Sequence, residues 1–311
     1  MEQYPPVSIF IITYLSSSDR CDVLRRTCEV ALQQDYPDFE VVVSDNAGTF
    51  SAVDALETIN DPRLKVFRFE ENVGFAGNVN RCLDYCQYDI IKPCCDDDLI
   101  HPQFLKSTVS LVTDDVLVIV DRKKFNFGDE PAGLQAPASG SPAVDARAAG
   151  YGWDVWKLPY EPWIAAMLFT KAFFRGLGGF DRKTITADWD FIVEVAIHRK
   201  ILHVKEELCF IGEWPESLTI SMQGANPYFY PHSELYTFFR VLKTKALGPV
   251  QKRQLRNKLL KGLLLQSLRP LRHPLSKPHW SGYRKYLARY REMVKWKRED
   301  FTERPATGTE C

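Results

Sequence analysis

The sequence predicts an α/β protein with a mostly parallel, mixed sheet that carries helices on both faces, followed by a basic helical extension. Short apolar segments of strand length alternate with segments of helical periodicity, which is typical of such a sheet. The charge also changes sign along the chain. Residues 1–239 contain 21 Lys and Arg against 35 Asp and Glu, and residues 240–311 contain 19 against 5. We therefore predict a domain over 1–225 that is large enough to be an enzyme, and a basic, mostly helical extension over 226–311.

The predicted elements follow one another in a regular order. The apolar segment VSIFII at 7–12 is the first strand, and the residues from 19 to about 36 have the apolar spacing of a helix. The later strands are predicted over 39–43, 64–69, 89–95, 116–120, 165–170 and 201–204. The later helices are predicted over 51–59, 78–86 and 189–199, with helical pattern again from 231 and a last helix over 283–297.

The segment 121–163 is rich in Pro and Gly and shows no regular pattern. A loop of that length inside a compact domain is commonly functional. We therefore predict an irregular loop here and hypothesise that it contributes to the choice of substrate.

Three consecutive carboxylates, Asp96, Asp97 and Asp98, directly follow the strand predicted at 89–95. Like charges so close disfavour one another, and Mg²⁺ or Mn²⁺ would relieve the repulsion. In parallel sheets, ligands bind outside the carboxyl ends of the strands, where this triplet falls. A solvated turn or a helix N-cap is the alternative interpretation.

Six segments in order resemble the family-2 glycosyltransferases, between about Val7 and Ser221. They are VSIFIITY, FEVVVSDNAG, ENVGFAGNVNR, DIIKPCCDDDLIHP, GLGGFD and ADWDF. The resemblance implies a single nucleotide-diphospho-sugar-binding domain of the GT-A fold. It also implies a transferase that uses a nucleotide sugar, with UDP-sugars favoured, and a glycan or lipid-linked acceptor. Polysaccharide biosynthesis for the cell envelope would fit.

The resemblance assigns roles to individual residues. Thr13 and Tyr14 match the loop that touches the base or ribose, and Asp45, followed by Asn46, matches the carboxylate that binds the nucleobase. A turn that lines the nucleotide pocket is matched by Asn72, Gly74 and Asn78. Two simpler interpretations stay open. Asp45 could serve only as a turn cap, and Asn72, Gly74 and Asn78 could belong to an ordinary strand-to-helix connection.

The family's metal motif, Asp-x-Asp, matches residues 95–97, so Asp97 is the expected metal ligand and Cys95 replaces the first aspartate. Asp96 and Asp98 would contact ribose, water or diphosphate. Asp188 matches the general base of inverting members, although Ala187 replaces the Glu that usually precedes it. Capping of the following helix by Asp188 is the simpler alternative, and the two roles are compatible.

The basic extension has the amphipathic pattern of a helix that lies on an anionic membrane surface; its charges could equally be solvated or pair with the acidic domain. No nucleic-acid-binding motif accompanies it, so we expect no nucleic-acid partner. Eight cysteines without a CxxC pair, and an N-terminus without a signal pattern, predict a cytoplasmic protein, with peripheral contact at the inner membrane face.

Two other functions stay open at this stage. A nucleotidylyltransferase would use a related sheet, but residues 16–20 are a poor match to its Gly-rich loop. A catalytically inactive relative that binds nucleotide sugar or glycan would fit the departures at Cys95 and Ala187.

Overall fold

The chain folds as the predicted α/β sheet, seen in a computed structural model. The structure describes residues 4–126, 128–129, 131–136, 138, 142–148, 163–182, 186–214, 241–242, 247–257, 284, 287–288 and 291. The predicted division between 225 and 226 and most of the predicted helix over 283–297 lie outside these residues.

The strands are β1 (Val7–Thr13), β2 (Phe39–Asp45), β3 (Leu64–Arg68), β4 (Ile90–Cys95), β5 (Leu99–Ile100), β6 (Val116–Asn126), β7 (Val144–Arg147), β8 (Met167–Thr170) and β9 (Lys200–Glu213). The helices are α1 (Asp19–Ala31), α2 (Ala52–Ala55), α3 (Gly74–Cys82), α4 (Phe104–Thr108), α5 (Lys171–Gly176) and α6 (Ala187–His198).

The strands form one mixed sheet in the order β3-β2-β1-β4-β8-β6-β9-β5, with β7 paired to β9. Strands β1 to β4 run parallel, and Thr13 lies opposite Asp45 while Ile12 lies opposite Cys95. Strands β1, β2 and β4 therefore end together, at what we call the carboxyl edge of the sheet.

Alternate side chains of β1 point to opposite faces of the sheet, and helices cover both. Ile9 and Ile11 lie in the core cluster that includes Leu24 of α1 and Phe104 of α4. Phe10 and Ile12 lie in a second cluster, with residues of α3, α5 and α6. Because both faces are buried, β1 has a continuous apolar sequence instead of an alternating one.

The register shows at which edge α6 begins. Strand β8 runs antiparallel to both β4 and β6, so β6 has the direction of β4, and β9 pairs parallel to β6 with Val116 opposite Lys200. Strand β9 thus starts at the amino edge, one residue after α6 ends. Since α6 packs on the sheet through Phe191 and Val195, it must begin at the carboxyl edge.

The segment 121–163 was wrongly predicted to be irregular throughout. Strand β6 continues to Asn126, and β7 lies at Val144–Arg147. The extension of β6 has charged residues, including Arg122, Lys123 and Lys124, and pairs with β9 beyond a register shift. It lacks the apolar pattern that identifies a buried strand, because this part of the sheet is partly exposed to solvent.

Helices also differ from their predicted bounds. The helix predicted over 51–59 is limited to Ala52–Ala55, and α3 begins at Gly74, four residues before the predicted start. Gly74 has a φ of 75°, which glycine adopts without strain. In the described part of the chain, no helix has the length and apolar character needed to cross a membrane.

Candidate active site

The carboxyl edge brings the ends of β1 and β4 into direct contact. The Thr13 hydroxyl donates to Asp96 Oδ2 at 2.5 Å, and both side chains are buried. The Thr27 hydroxyl of α1 donates to the Asp96 backbone carbonyl at 2.8 Å. These two bonds tie the carboxylate triplet to β1 and α1.

Arg20, in the first turn of α1, supplies a positive charge to the triplet. Its guanidinium forms an ion pair with Asp96, and its Nη1 lies 3.8 Å from Asp97 Oδ2. We expected a metal to be needed to relieve the repulsion, but Arg20 already offsets part of it. The sequence analysis missed Arg20; a cationic residue just after the β1 loop was the available signal.

The pKa values of Asp97 and Asp98 are both raised above the usual range of an aspartate. Burial, followed by the charges of Asp98 and Asp96, raises the pKa of Asp97 well above its usual value, against the opposing charge of Arg20. Burial raises the pKa of Asp98 to about 7, although it accepts a hydrogen bond from the Gly212 N–H at 3.2 Å. Asp97 keeps 14% of its side-chain surface exposed, so it is the triplet member most open to a ligand.

The residues present fit a divalent cation. Cys95, Asp97 and Asp98 each offer a ligand atom, and these atoms lie within 4.8 Å of one another. Carboxylate oxygens suit Mg²⁺ and Mn²⁺, and a cation would offset both the burial and the neighbouring negative charges that raise the pKa of Asp97.

Asp45 is completely buried and caps the loop after β2. It accepts from the backbone N–H groups of Gly48 at 3.2 Å and Ala52 at 3.0 Å, and from Arg68 Nη1 at 2.7 Å. The structure thus shows the turn cap that the sequence left open, and the nucleobase contact stays a prediction.

The other predicted nucleotide-binding residues form a supporting network next to this loop. Asn46 donates to Asn72 Oδ1 at 2.8 Å, which also accepts from the Gly74 N–H at 2.8 Å. Asn78 is buried and exchanges hydrogen bonds with Ser44 of β2. Tyr14 is 45% exposed just beyond β1, and Asn72 and Gly74 are exposed as well, so these three members of the predicted set are open to a ligand.

Asp188 lies in the first turn of α6, at the carboxyl edge. Its Oδ1 accepts from the Trp189 N–H at 2.8 Å, and burial raises its pKa to about 6. A carboxylate with that pKa is still mostly ionised at neutral pH and accepts a proton more readily than an exposed aspartate. The preceding Ala187 is fully buried in the core, a position where a charged Glu would be costly.

The comparison with known proteins agrees with this geometry. The model of the family described as "Glycosyl transferase family 2" matches residues 8–174, more than half of the chain. This chain belongs to glycosyl transferase family 2. The predicted resemblance is therefore confirmed, and the matched residues of this family-2 chain include Thr13, Asp45 and the whole triplet. No curated protein matches the sequence.

Solved structures with the same GT-A fold extend the likeness beyond the matched segment. Staphylococcus aureus TarS 1–349 in complex with UDP-GlcNAc aligns with a TM-score of 0.66 at 16% identity, over 93% of this chain and 81% of that one. Its UDP complex aligns with a TM-score of 0.63 at 15% identity and the same coverage.

A third structure is a mannosyltransferase, PcManGT from Pyrobaculum calidifontis, in complex with GDP-Man and Mn²⁺. It aligns with a TM-score of 0.56 at 17% identity, over 94% of this chain and 86% of that one. At these identities the three structures confirm the fold predicted from sequence.

Proposed function

We propose that this family-2 chain transfers a sugar from a nucleoside-diphosphate donor to a hydroxyl group of a glycan or lipid-linked acceptor, with inversion at the anomeric carbon. The observation that carries the proposal is the carboxyl edge itself. There Asp97 stands partly exposed beside Cys95 and Asp98, and α6 presents Asp188 at the same edge.

The donor is proposed to be a nucleotide sugar with uridine as its base. The TarS structures, which have the higher TM-scores, are complexes with UDP and UDP-GlcNAc, whereas the mannosyltransferase holds GDP-Man. Tyr14 is exposed where the base or ribose would lie, and the network around Asp45 and Asn46 holds the adjoining loop in place.

Asp97 is proposed to hold Mn²⁺ or Mg²⁺, with Asp98 beside it. When bound, the cation would stabilise the negative charge of the leaving diphosphate. Arg20 would hold Asp96 in position through their ion pair. The Mn²⁺ in the mannosyltransferase complex supports this assignment.

Asp188 is proposed as the general base. It would accept the proton of the acceptor hydroxyl while that oxygen attacks the anomeric carbon and the bond to the diphosphate breaks on the opposite face. One base opposite one leaving group gives inversion of configuration. The position of Asp188 at the start of α6 favours its ionised form, because the helix N-terminus is electropositive.

Calorimetry tests the donor site. UDP, GDP and dTDP are titrated with and without Mn²⁺ into the wild type, Asp97→Asn and, as a matched control, Asp84→Asn. Asp84 is an exposed carboxylate just past α3. We expect Mn²⁺-dependent binding of UDP that Asp97→Asn loses and Asp84→Asn keeps. If no diphosphate binds under any condition, the transferase proposal fails, and a non-catalytic role becomes the better explanation.

A further inference from the structure

The family motif has an aspartate where this chain has Cys95, and the structure indicates what that difference does. We propose that Cys95 Sγ is a direct ligand of the cation site, so that the site takes thiophilic divalent ions such as Zn²⁺ and Cd²⁺ in preference to Mg²⁺. This inference rests on the proposed function, since it concerns the cation that Asp97 would hold.

Asp96 is already engaged by protein groups. Arg20 is paired with its Oδ1, the Thr13 hydroxyl donates to its Oδ2, and the side chain is buried. A metal that recruited Asp96 would have to displace a buried guanidinium from its partner, which is costly. Of the other two carboxylates, Asp97 is the more exposed, and Asp98 is buried but accepts from a neutral backbone N–H, that of Gly212, so a cation displaces no guanidinium from it.

Cys95 supplies the third possible ligand atom, beside those of Asp97 and Asp98. It is the last residue of β4, it is partly exposed, and its Sγ lies within 4.8 Å of ligand atoms of both Asp97 and Asp98. Strand pairing with β1 at Ile12 fixes its backbone. Its neighbour Cys94 is fully buried, and its Sγ lies 3.6 Å from the Asp98 carbonyl, so the two thiols have different surroundings.

A thiolate among oxygen donors changes the preference of a metal site. Mg²⁺ favours oxygen ligands in near-octahedral geometry, whereas Zn²⁺ accepts a mixture of Cys and Asp ligands at about 2.0–2.3 Å from the ion. Donor atoms within 4.8 Å of one another are close enough to share one such ion after small side-chain movements. On ligation the thiol proton leaves to solvent and the sulfur donates as thiolate.

The experiment uses the full chain, reduced and stripped of metal, titrated with Cd²⁺ or Co²⁺ and followed by the thiolate-to-metal charge-transfer absorption. The variants are Cys95→Ser, Cys95→Asp and, as a control, Cys21→Ser, which removes a partly exposed cysteine of α1. Competition with Mg²⁺ and Mn²⁺ is measured by calorimetry on the same samples.

We expect the absorption band in the wild type and in Cys21→Ser, and its loss in Cys95→Ser. We also expect Cys95→Asp to weaken Cd²⁺ binding at least about tenfold relative to Mg²⁺, since even indirect partners of a metal ligand are worth 10–100-fold in affinity. A wild type that binds Mn²⁺ through Asp97 but shows no band overturns the thiol assignment and leaves the proposed function intact. A chain that binds no cation at all overturns both.

Discussion

At the scale of single residues, the proposed base Asp188 also affects folding stability. Burial raises its pKa to about 6, so between roughly pH 4 and pH 6 the folded state binds a proton that the unfolded state has released. Its contribution to folding stability therefore falls as the pH rises through that window. This loss is complete at neutral pH, where the proposed base would have to be ionised to accept a proton.

Transfer activity should follow the ionisation of Asp188. At saturating Mn²⁺ we expect kcat to fall about tenfold per pH unit below pH 6, because a protonated carboxyl cannot accept the acceptor's proton. Asp188→Asn should lower kcat by about 10²–10⁴-fold, with a melting temperature at pH 7 no lower than that of the wild type. Near-normal turnover in that variant, measured beside Asp84→Asn, would exclude Asp188 as the base.

We expect Asp45 to contribute more to folding stability than to ligand binding. Asp45→Ala leaves two loop N–H groups without this acceptor and removes the ion pair with Arg68, and we expect a loss of about 2–3 kcal/mol in the free energy of unfolding. Chemical denaturation measures this, with Asp22→Ala on the exposed face of α1 as the control. A fully stable Asp45→Ala that has lost UDP binding would instead favour the predicted nucleobase contact.

At the scale of elements, the loops after β1 and β2 are in close contact. A Cβ placed on Gly48 would lie 2.4 Å from the backbone nitrogen of Leu15, and Leu15 O accepts from the Phe50 N–H at 3.1 Å. Through these contacts each loop fixes the conformation of the other, and together they position Tyr14 at the carboxyl edge.

Gly48→Ala should disturb both loops at once. We expect a stability loss of about 1–3 kcal/mol from the steric conflict, together with weaker UDP binding because Tyr14 moves with Leu15. Gly176→Ala is the matched control, since its added Cβ would meet only the end of Arg199 at 3.9 Å. Calorimetry and thermal unfolding that show no change in Gly48→Ala would contradict the coupling of the loops.

The elements that were predictable from sequence are those with a strong apolar pattern. Strands β1 and β2 are buried on both faces, so their apolar segments identified them, and the loops that follow them defined the candidate site. The end of β6 and strand β7 were missed, because exposed or charged residues there remove the periodic signal. Propensity alone does not report hydrogen bonding between strands distant in sequence.

For the candidate site, the sequence predicted where residues lie at the ends of strands better than which groups their side chains contact. A triplet at the end of β4 could be placed from sequence, whereas its ion pair with Arg20 depends on how α1 lies across the sheet. For the same reason Asp45 and Asn78 could be predicted as candidate site residues, but their burial and hydrogen-bond partners required the fold, and their contact with a nucleotide stays a prediction.

At the scale of the whole molecule, the opposite charges of the two parts of the chain remain to be explained. Residues 240–311 carry the excess of Lys and Arg, and most of them lie outside the described residues. Contact of this extension with an anionic membrane surface would bring the enzyme to a lipid-linked acceptor, and it stays a proposal.

The full chain should bind vesicles that contain anionic phospholipid and should not bind neutral ones. Changing Arg284, Lys285, Arg289 and Arg291 to Gln should weaken binding by about 1 kcal/mol for each charge. The control changes exposed cations of the sheet domain, such as Lys106, Lys124 and Arg175, to Gln. Cosedimentation that is equal for both variants would argue against a role of the extension at membranes.

Strand β9 connects the helix of the proposed base to the triplet through one continuous segment. A single residue, Arg199, separates its start from α6, the helix that bears Asp188, and near its other end Gly212 donates to Asp98. Its pairing with β6 contains a register shift before the part of the strand that includes Gly212. Insertions between β6 and β7 can therefore lengthen without altering the separation of the proposed base Asp188 and the triplet, whereas a single-residue deletion within β9 would shift one relative to the other. Among natural relatives, length variation should accordingly collect in the first place and be rare in the second.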